Sequence, residues 1–241
     1  MGASNRVTSC ENEIDTLLVF DHFDKDQVDT TSVDTITDSG TVAMGDAAGG
    51  TVVLTPSDGT VSDNDEAYLA TPNEVFLMAT GKNIYGRARV KGTETTADKV
   101  NLAFGFQNAV GANSLIDDGG GPKVSGDTLA IYKKDGGGAF WYCAAYCNGT
   151  GTATKSKTAF VTATWYDLEI FANDNGDGTF AVSYKIDGQY LRDYTTNVVI
   201  SHSVTIASAT EMQMWLGVKL GAATNNDTLT CDFWLGKQKA F

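Results

Sequence analysis

From residue 50 onward the chain alternates apolar and polar positions with a period of two. Ile84, Gly86, Ala88 and Val90 fall on one face of a run, and Tyr85, Arg87, Arg89 and Lys91 on the other. Val100, Leu102, Phe104 and Phe106 alternate in the same way with Asn101, Ala103, Gly105 and Gln107. Such patterning predicts antiparallel strands with one face in a core and one in solvent. A hairpin follows: Tyr166, Leu168 and Ile170 alternate on the way out, Phe180, Val182, Tyr184 and Ile186 on the way back. Asn173 to Gly178 makes its turn, with Asn, Asp and Gly suited to positive φ. Met212, Met214, Leu216, Val218 and Leu220 mark a late strand, and a last one runs from about Thr228 to Lys237.

Shorter strands are expected at residues 50–55, 66–71, 74–80 and 127–134. Residues 139–147 are bulky on both faces, which predicts burial on both sides. Two segments read as loops: the Gly-rich Asp117–Pro122, expected to be flexible, and the small-residue stretch Asn148–Lys157. No long amphipathic helix and no internal repeat is visible. About twelve strands without a dividing linker predict an all-β sandwich of two antiparallel sheets over residues 33–241. Residues 1–32 lack this regularity, apart from Leu17-Leu18-Val19-Phe20, and read as an N-terminal arm or edge segment.

Charge sharpens that division. The formal net charge is −13, and residues 1–66 hold 14 acidic side chains against two basic ones, Arg6 and Lys25. The remaining chain is close to neutral. An acidic chain without a clustered basic stripe beyond Arg87, Arg89 and Lys91 is a poor match for a phosphate backbone, so no nucleic-acid partner is expected. No run approaches the ~18 apolar residues of a membrane span. The start, Gly2-Ala3-Ser4-Asn5-Arg6, has no signal-peptide pattern.

The four cysteines are Cys10, Cys143, Cys147 and Cys231. Cys143 and Cys147 on one strand would sit ~13 Å apart, and a disulfide needs Cα atoms within ~7 Å. They read as small buried hydrophobes in a reducing compartment. With only His22 and His202 in the chain, no zinc site is expected.

Catalytic patterns are weak. Glu13-Ile14-Asp15 lacks the third acid of a glycosidase Glu-x-Asp-x-x-Glu motif, because Leu17 and Leu18 stand at the candidate positions. Asp167 and Glu169 share a face but lie on a regular hairpin, where a solvated strand face accounts for them. No Gly-x-Ser-x-Gly elbow is present, and Gly119-Gly120-Gly121-Pro122-Lys123 lacks the hydroxyl residue of a phosphate loop. Residues 173–178 match the start of a calcium loop, yet Tyr184 occupies the position of its bidentate carboxylate. No catalytic, cofactor or metal site is expected, and the chain reads as a non-enzyme.

The order of features is distinctive: Phe20-Asp21-His22-Phe23, Gly49 to Thr55, Arg87 to Lys91, Leu102 to Phe106, Trp165 to Ile170, Tyr184 to Gly188, and Cys231-Asp232-Phe233. It resembles the concanavalin A-like (laminin G-like) jelly roll, and more narrowly the version found in small virion proteins of tailed phages. The resemblance spans residues 17–241. It implies a capsid decoration protein, made in the host cytoplasm and placed on the virion head surface. Its expected partners are the major capsid protein or other virion proteins, with a homo-oligomer expected; a tail-associated protein is the nearest variant. The fold alone does not select a function, since it also carries lectins and hydrolases.

The second reading is a glycan-binding module. Tyr85 shares a face with Arg87 and Arg89, and Trp215 shares one with Gln213 and Lys219. If the two strands were neighbours, these six side chains would form one polar–aromatic groove. Arg and aromatic residues equally suit a protein interface, so the six are candidates for either contact.

Overall fold

The computed structural model describes residues 16–46, 48–206, 210–223 and 226–239. These residues form nineteen strands and no helix. The first ten are β1 (Thr16–Asp21), β2 (Asp34–Thr37), β3 (Thr41–Gly45), β4 (Thr51–Thr55), β5 (Glu66–Ala70), β6 (Phe76–Met78), β7 (Ile84–Thr93), β8 (Val100–Gln107), β9 (Leu115–Ile116) and β10 (Gly121–Pro122). The rest are β11 (Thr128–Lys133), β12 (Phe140–Cys147), β13 (Thr150–Ala159), β14 (Trp165–Asp174), β15 (Thr179–Ile186), β16 (Gln189–Tyr190), β17 (Ser201–Thr205), β18 (Thr210–Leu220) and β19 (Thr228–Lys239).

Two antiparallel sheets contain nearly all of them. The nine-stranded sheet runs β16-β15-β14-β7-β19-β4-β3, with β1 also on β19 and β17 also on β15. The eight-stranded sheet runs β13-β12-β11-β8-β18-β5-β2, with β6 also on β18. The chain crosses between sheets from β7 to β8 and again from β18 to β19, the winding of a jelly roll. Of the N-terminal segment expected over residues 1–32, residues 1–15, with Cys10, lie outside the described residues. Residues 16–21 form β1, paired in full register along β19 from Thr16↔Lys239 to Asp21↔Trp234.

The core lies between the sheets. Ala88, Val90, Leu168 and Ile170 face Phe104, Phe106, Met214 and Leu216, all buried. Gly86 is needed there: a Cβ on it would sit 2.6 Å from the Phe106 ring. The ring fills the volume a side chain would take, and such cores tolerate little overpacking. Cys143, Cys147 and Cys231 are buried within the same cluster, and burial raises the thiol pKa of Cys143 and Cys231.

A polar bridge also joins the layers. Tyr184 of β15 donates to the Ala144 carbonyl of β12 at 2.9 Å. His202 of β17 places Nδ1 3.0 Å from that hydroxyl and Nε2 2.9 Å from Thr154 Oγ1 on β13. With the Tyr184 proton committed to Ala144, His202 donates from Nδ1 and accepts at Nε2, a neutral tautomer. Burial depresses its pKa to about 4.

The two expected loops differ from the sequence reading. Asn148–Lys157 is mostly strand β13, reached by a tight turn at Asn148 and Gly149, both with positive φ. Its first four residues are exposed, so an edge strand made of Thr, Gly and Ala shows no apolar period. Thr still favours extended backbone there. Residues 117–122 are likewise not a free loop: Gly119, Gly121 and Pro122 are buried, and β10 pairs with β9 across the outer face of the eight-stranded sheet.

Candidate functional site

The outer face of the nine-stranded sheet is open and chemically dense. Register places Tyr85 opposite Phe171, Arg87 opposite Glu169, Arg89 opposite Asp167 and Lys91 opposite Trp165. The polar groups pair one step off these rungs. Tyr85 donates to Glu169 Oε2 at 2.9 Å, Arg87 to Asp167 Oδ2 at 2.9 Å, and Arg89 to Asp232 Oδ2 at 2.9 Å. Burial and the bond to Glu169 raise the Tyr85 pKa. The guanidinium of Arg87 lies over the Phe233 ring, and Arg89 and Lys91 lie over Trp165. Tyr85, Arg87 and Arg89 therefore share one surface.

A cleft of about 210 Å³ opens at one end of this face. Tyr85 and Phe171 line it, with ring centroids 4.9 Å apart and planes tilted by 43°. Asn83 and Asn173 add amides, and Lys237 and Lys239 add ammonium groups. Asn83 is fixed from behind, because its Oδ1 accepts the Asp174 backbone N–H at 2.9 Å. No carboxylate lines the cleft among the described residues. Such an arrangement can stack a ring and hydrogen-bond around its edge; it offers no acid–base pair. Sequence reasoning missed Asn83, Phe171, Asn173, Lys237 and Lys239. Phe171 was the one with a signal, as it alternates onto the same face as Glu169.

Gln213, Trp215 and Lys219 are elsewhere. They sit on β18 in the eight-stranded sheet, so the condition that would have joined them to Tyr85 is not met. All three are buried, Trp215 fully. The segment from Asn108 to Asp127 folds over them. Gln213 Oε1 accepts Val110 N–H at 2.8 Å, and Leu115 packs in the cluster of Trp215, Tyr68 and Tyr132. Lys219 Nζ lies 2.9 Å from Glu66 Oε2 and also pairs with Asp117 on the covering segment. Glu66 accepts the Asn113 N–H at 2.9 Å and the Tyr68 hydroxyl at 2.7 Å, and Tyr68 in turn accepts Leu115 N–H. These three candidates anchor a cover and present no free surface.

The weighed catalytic patterns resolve geometrically. Asp167 and Glu169 share a face, and each is engaged, by Arg87 and by Tyr85. Glu13 and Asp15 lie outside the described residues. His22 is exposed beside the rings of Phe20 and Phe233. Residues 173–178 form the β14–β15 turn, where Asp174 and Asp177 accept backbone N–H groups of Gly81 and Thr179. Among the described residues no three His, Cys, Asp or Glu side chains converge to hold a metal ion.

No family model matches the chain, and no curated protein matches it in sequence. Solved structures do match in shape. Peanut lectin aligns over 92% of this chain and 97% of its own at a TM-score of 0.59 and 10% identity. The endo-1,3-β-glucanase of Streptomyces sioyaensis aligns over 95% and 98% at a TM-score of 0.59 and 15% identity. The carbohydrate recognition domain of Emp46p in its potassium-bound form aligns over 89% and 93% at a TM-score of 0.57 and 12% identity. The chain has the concanavalin A-like jelly-roll fold.

Proposed function

We propose that this chain is a non-catalytic carbohydrate-binding module, with the cleft beside Tyr85 and Phe171 as its sugar site. The observation that carries this reading is the cleft itself: two tilted aromatic rings flanked by Asn83 and Asn173, with no carboxylate in the lining. Pockets of this kind stack the apolar face of a sugar and read its hydroxyls with amides. The fold shared with peanut lectin and the Emp46p recognition domain supports the class, as an analogy of fold. A glycan array probed with the folded protein tests it. Binding to neutral sugars that Tyr85→Ala abolishes supports the site; a blank array, or binding that Tyr85→Ala leaves unchanged, overturns it.

A second reading concerns protein docking, as a decoration protein on a phage head. Leu18 and Phe20 of β1 are each 47% exposed, and Leu235 and Phe233 lie beside them on the same face. Exposed apolar strips of this kind mark contact surfaces. A rigid sandwich bridging capsid subunits through this strip would stabilise the shell by mass action, because it binds the assembled state preferentially. Adding the protein to bare heads of its phage tests this. Occupancy in cryo-EM that Leu18→Ser and Phe20→Ser remove supports head docking; absence from the heads overturns it.

A further inference from the structure

Lys134 and Lys155 stand on the outer face of the eight-stranded sheet, beside the edge that the covering segment leaves open. They flank one ring: Lys134 Nζ lies 5.6 Å and Lys155 Nζ 5.9 Å from the Tyr142 centroid. Lys155 also sits 4.4 Å from the Phe140 ring and 4.8 Å from the Tyr194 ring. Its ammonium donates to the Gly137 carbonyl at 3.0 Å, and Tyr142 donates to that same oxygen at 2.6 Å.

The pairing of these two lysines differs from that of the lysines beside them. Acidic side chains outnumber basic ones 30 to 17. Neighbouring Lys133 is paired with Glu94 and Asp98, and Lys99 with Asp135. Among the described residues, neither Lys134 nor Lys155 forms an ion pair with a carboxylate. Two unneutralised cations therefore share a ring, and the nearby acids, Asp98 and Asp135, are committed to Lys133 and Lys99.

The strand supplies a stacking surface beside them. Phe140, Tyr142 and Tyr146 alternate along β12 and are half-buried. Ala144 lies between the two tyrosines, opposite Ala153 on β13 and Ala130 on β11. Tyr142 and Tyr146 are thus ~13 Å apart along the strand, with the buried Ala144 between them. Two cations set against aromatic rings favour a chain of rings with sparse negative charge. A nucleic acid carries a phosphate on every nucleotide and calls for more cations than two, in a protein of the opposite sign.

We propose that Phe140, Tyr142, Tyr146, Lys134 and Lys155 form a second binding site, for a carboxylate-bearing polysaccharide. Sugar faces stack on the tyrosines, and the uronate carboxylates pair with the two ammonium groups. The site is on the opposite sheet from the Tyr85 cleft and stands independently of it.

Calorimetric titration with a glucuronate oligomer tests the proposal, with a neutral glucose oligomer and oligodeoxythymidine as the other arms. The uronate is expected to bind and to weaken as salt rises, while both other ligands bind at least tenfold more weakly. Lys134→Gln, at a half-exposed position outside any strand, keeps the protein folded and is expected to weaken uronate binding roughly tenfold. No uronate binding by the folded wild type overturns the site. So does uronate affinity indifferent to Lys134→Gln, or tighter binding of the oligodeoxythymidine.

Discussion

Lys219 Nζ lies 2.9 Å from Glu66 Oε2, and the two residues are 153 positions apart in the chain. Both side chains are almost wholly buried, at 1% and 5% exposure. The pair sits where β18 and β5 run side by side, Lys219 opposite Glu66. Asp117 from the covering segment closes on the same ammonium.

Removing the cation leaves the buried Glu66 carboxylate without its counter-charge and facing the half-exposed Asp117. Breaking one side of a buried ion pair typically costs about 3–5 kcal/mol. Lys219→Met is expected to lower the urea midpoint accordingly and to make residues 108–127 sensitive to protease in the native state. Replacing Glu66 by Gln as well recovers part of the loss. Unfolding curves and limited proteolysis check this. A Lys219→Met protein as stable and as protease-resistant as the wild type contradicts the anchoring role.

His202 makes stability depend on pH. Its folded pKa is about 4, below the ordinary value near 6.5. Between these two values the unfolded chain takes up a proton that the folded protein refuses. Stability is therefore full above about pH 6.5 and falls as pH drops towards 4. At 1.36 kcal/mol per pKa unit, the loss from pH 7.5 to pH 5 is about 2 kcal/mol. Urea unfolding at the two pH values measures it, and His202→Gln is expected to flatten that interval. An equal slope in the variant argues against His202 as its source.

Arg89 and Asp232 form an ion pair 2.9 Å long, but Arg89 is 45% exposed. Exposed pairs contribute about 0–1 kcal/mol. Arg89→Ala is thus expected to shift stability by less than ~1 kcal/mol, and the shift shrinks further at high salt. A larger change would show that the guanidinium's contact with Trp165 is doing more than lying on the surface.

Gly105 faces outward at the centre of the eight-stranded sheet, opposite Trp215 and Ala130. A Cβ there would stand 2.0 Å from the Leu129 carbonyl oxygen, a backbone atom held in the ladder. Gly105→Ala is expected to cost about 3 kcal/mol or more, whereas Gly111→Ala, which meets nothing within 4 Å, is expected to change little. Thermal unfolding of the two variants makes the comparison.

The strands with one apolar face were legible in the sequence. Ile84 to Val90, Tyr166 to Ile170 and Phe180 to Ile186 alternate because one side packs in the core and the other does not, whereas Val100 to Phe106, expected to have one face in solvent, is buried on both faces because residues 108–127 cover its outer side. The second face of β18 was not legible. Trp215 and Lys219 look like exposed polar–aromatic positions because period two says which side a residue takes, and nothing about what lies over that side. Their cover comes from residues 108–127, through contacts distant in sequence. The same limit applies to the cleft, where Asn83, Phe171 and Lys237 meet only because β7 lies between β14 and β19. At β13 the failure was local: an exposed edge strand of small residues carries no hydrophobic signal.

The most direct measurement is a heteronuclear NMR titration of the labelled protein with the neutral oligosaccharide that binds best on the array. Side-chain amide signals of Asn83 and Asn173, with the backbone of Tyr85 and Phe171, are predicted to shift together and saturate at one affinity. Shifts confined to residues 108–127 and Trp215, or no shift at saturating ligand, would contradict a sugar site at the Tyr85 cleft.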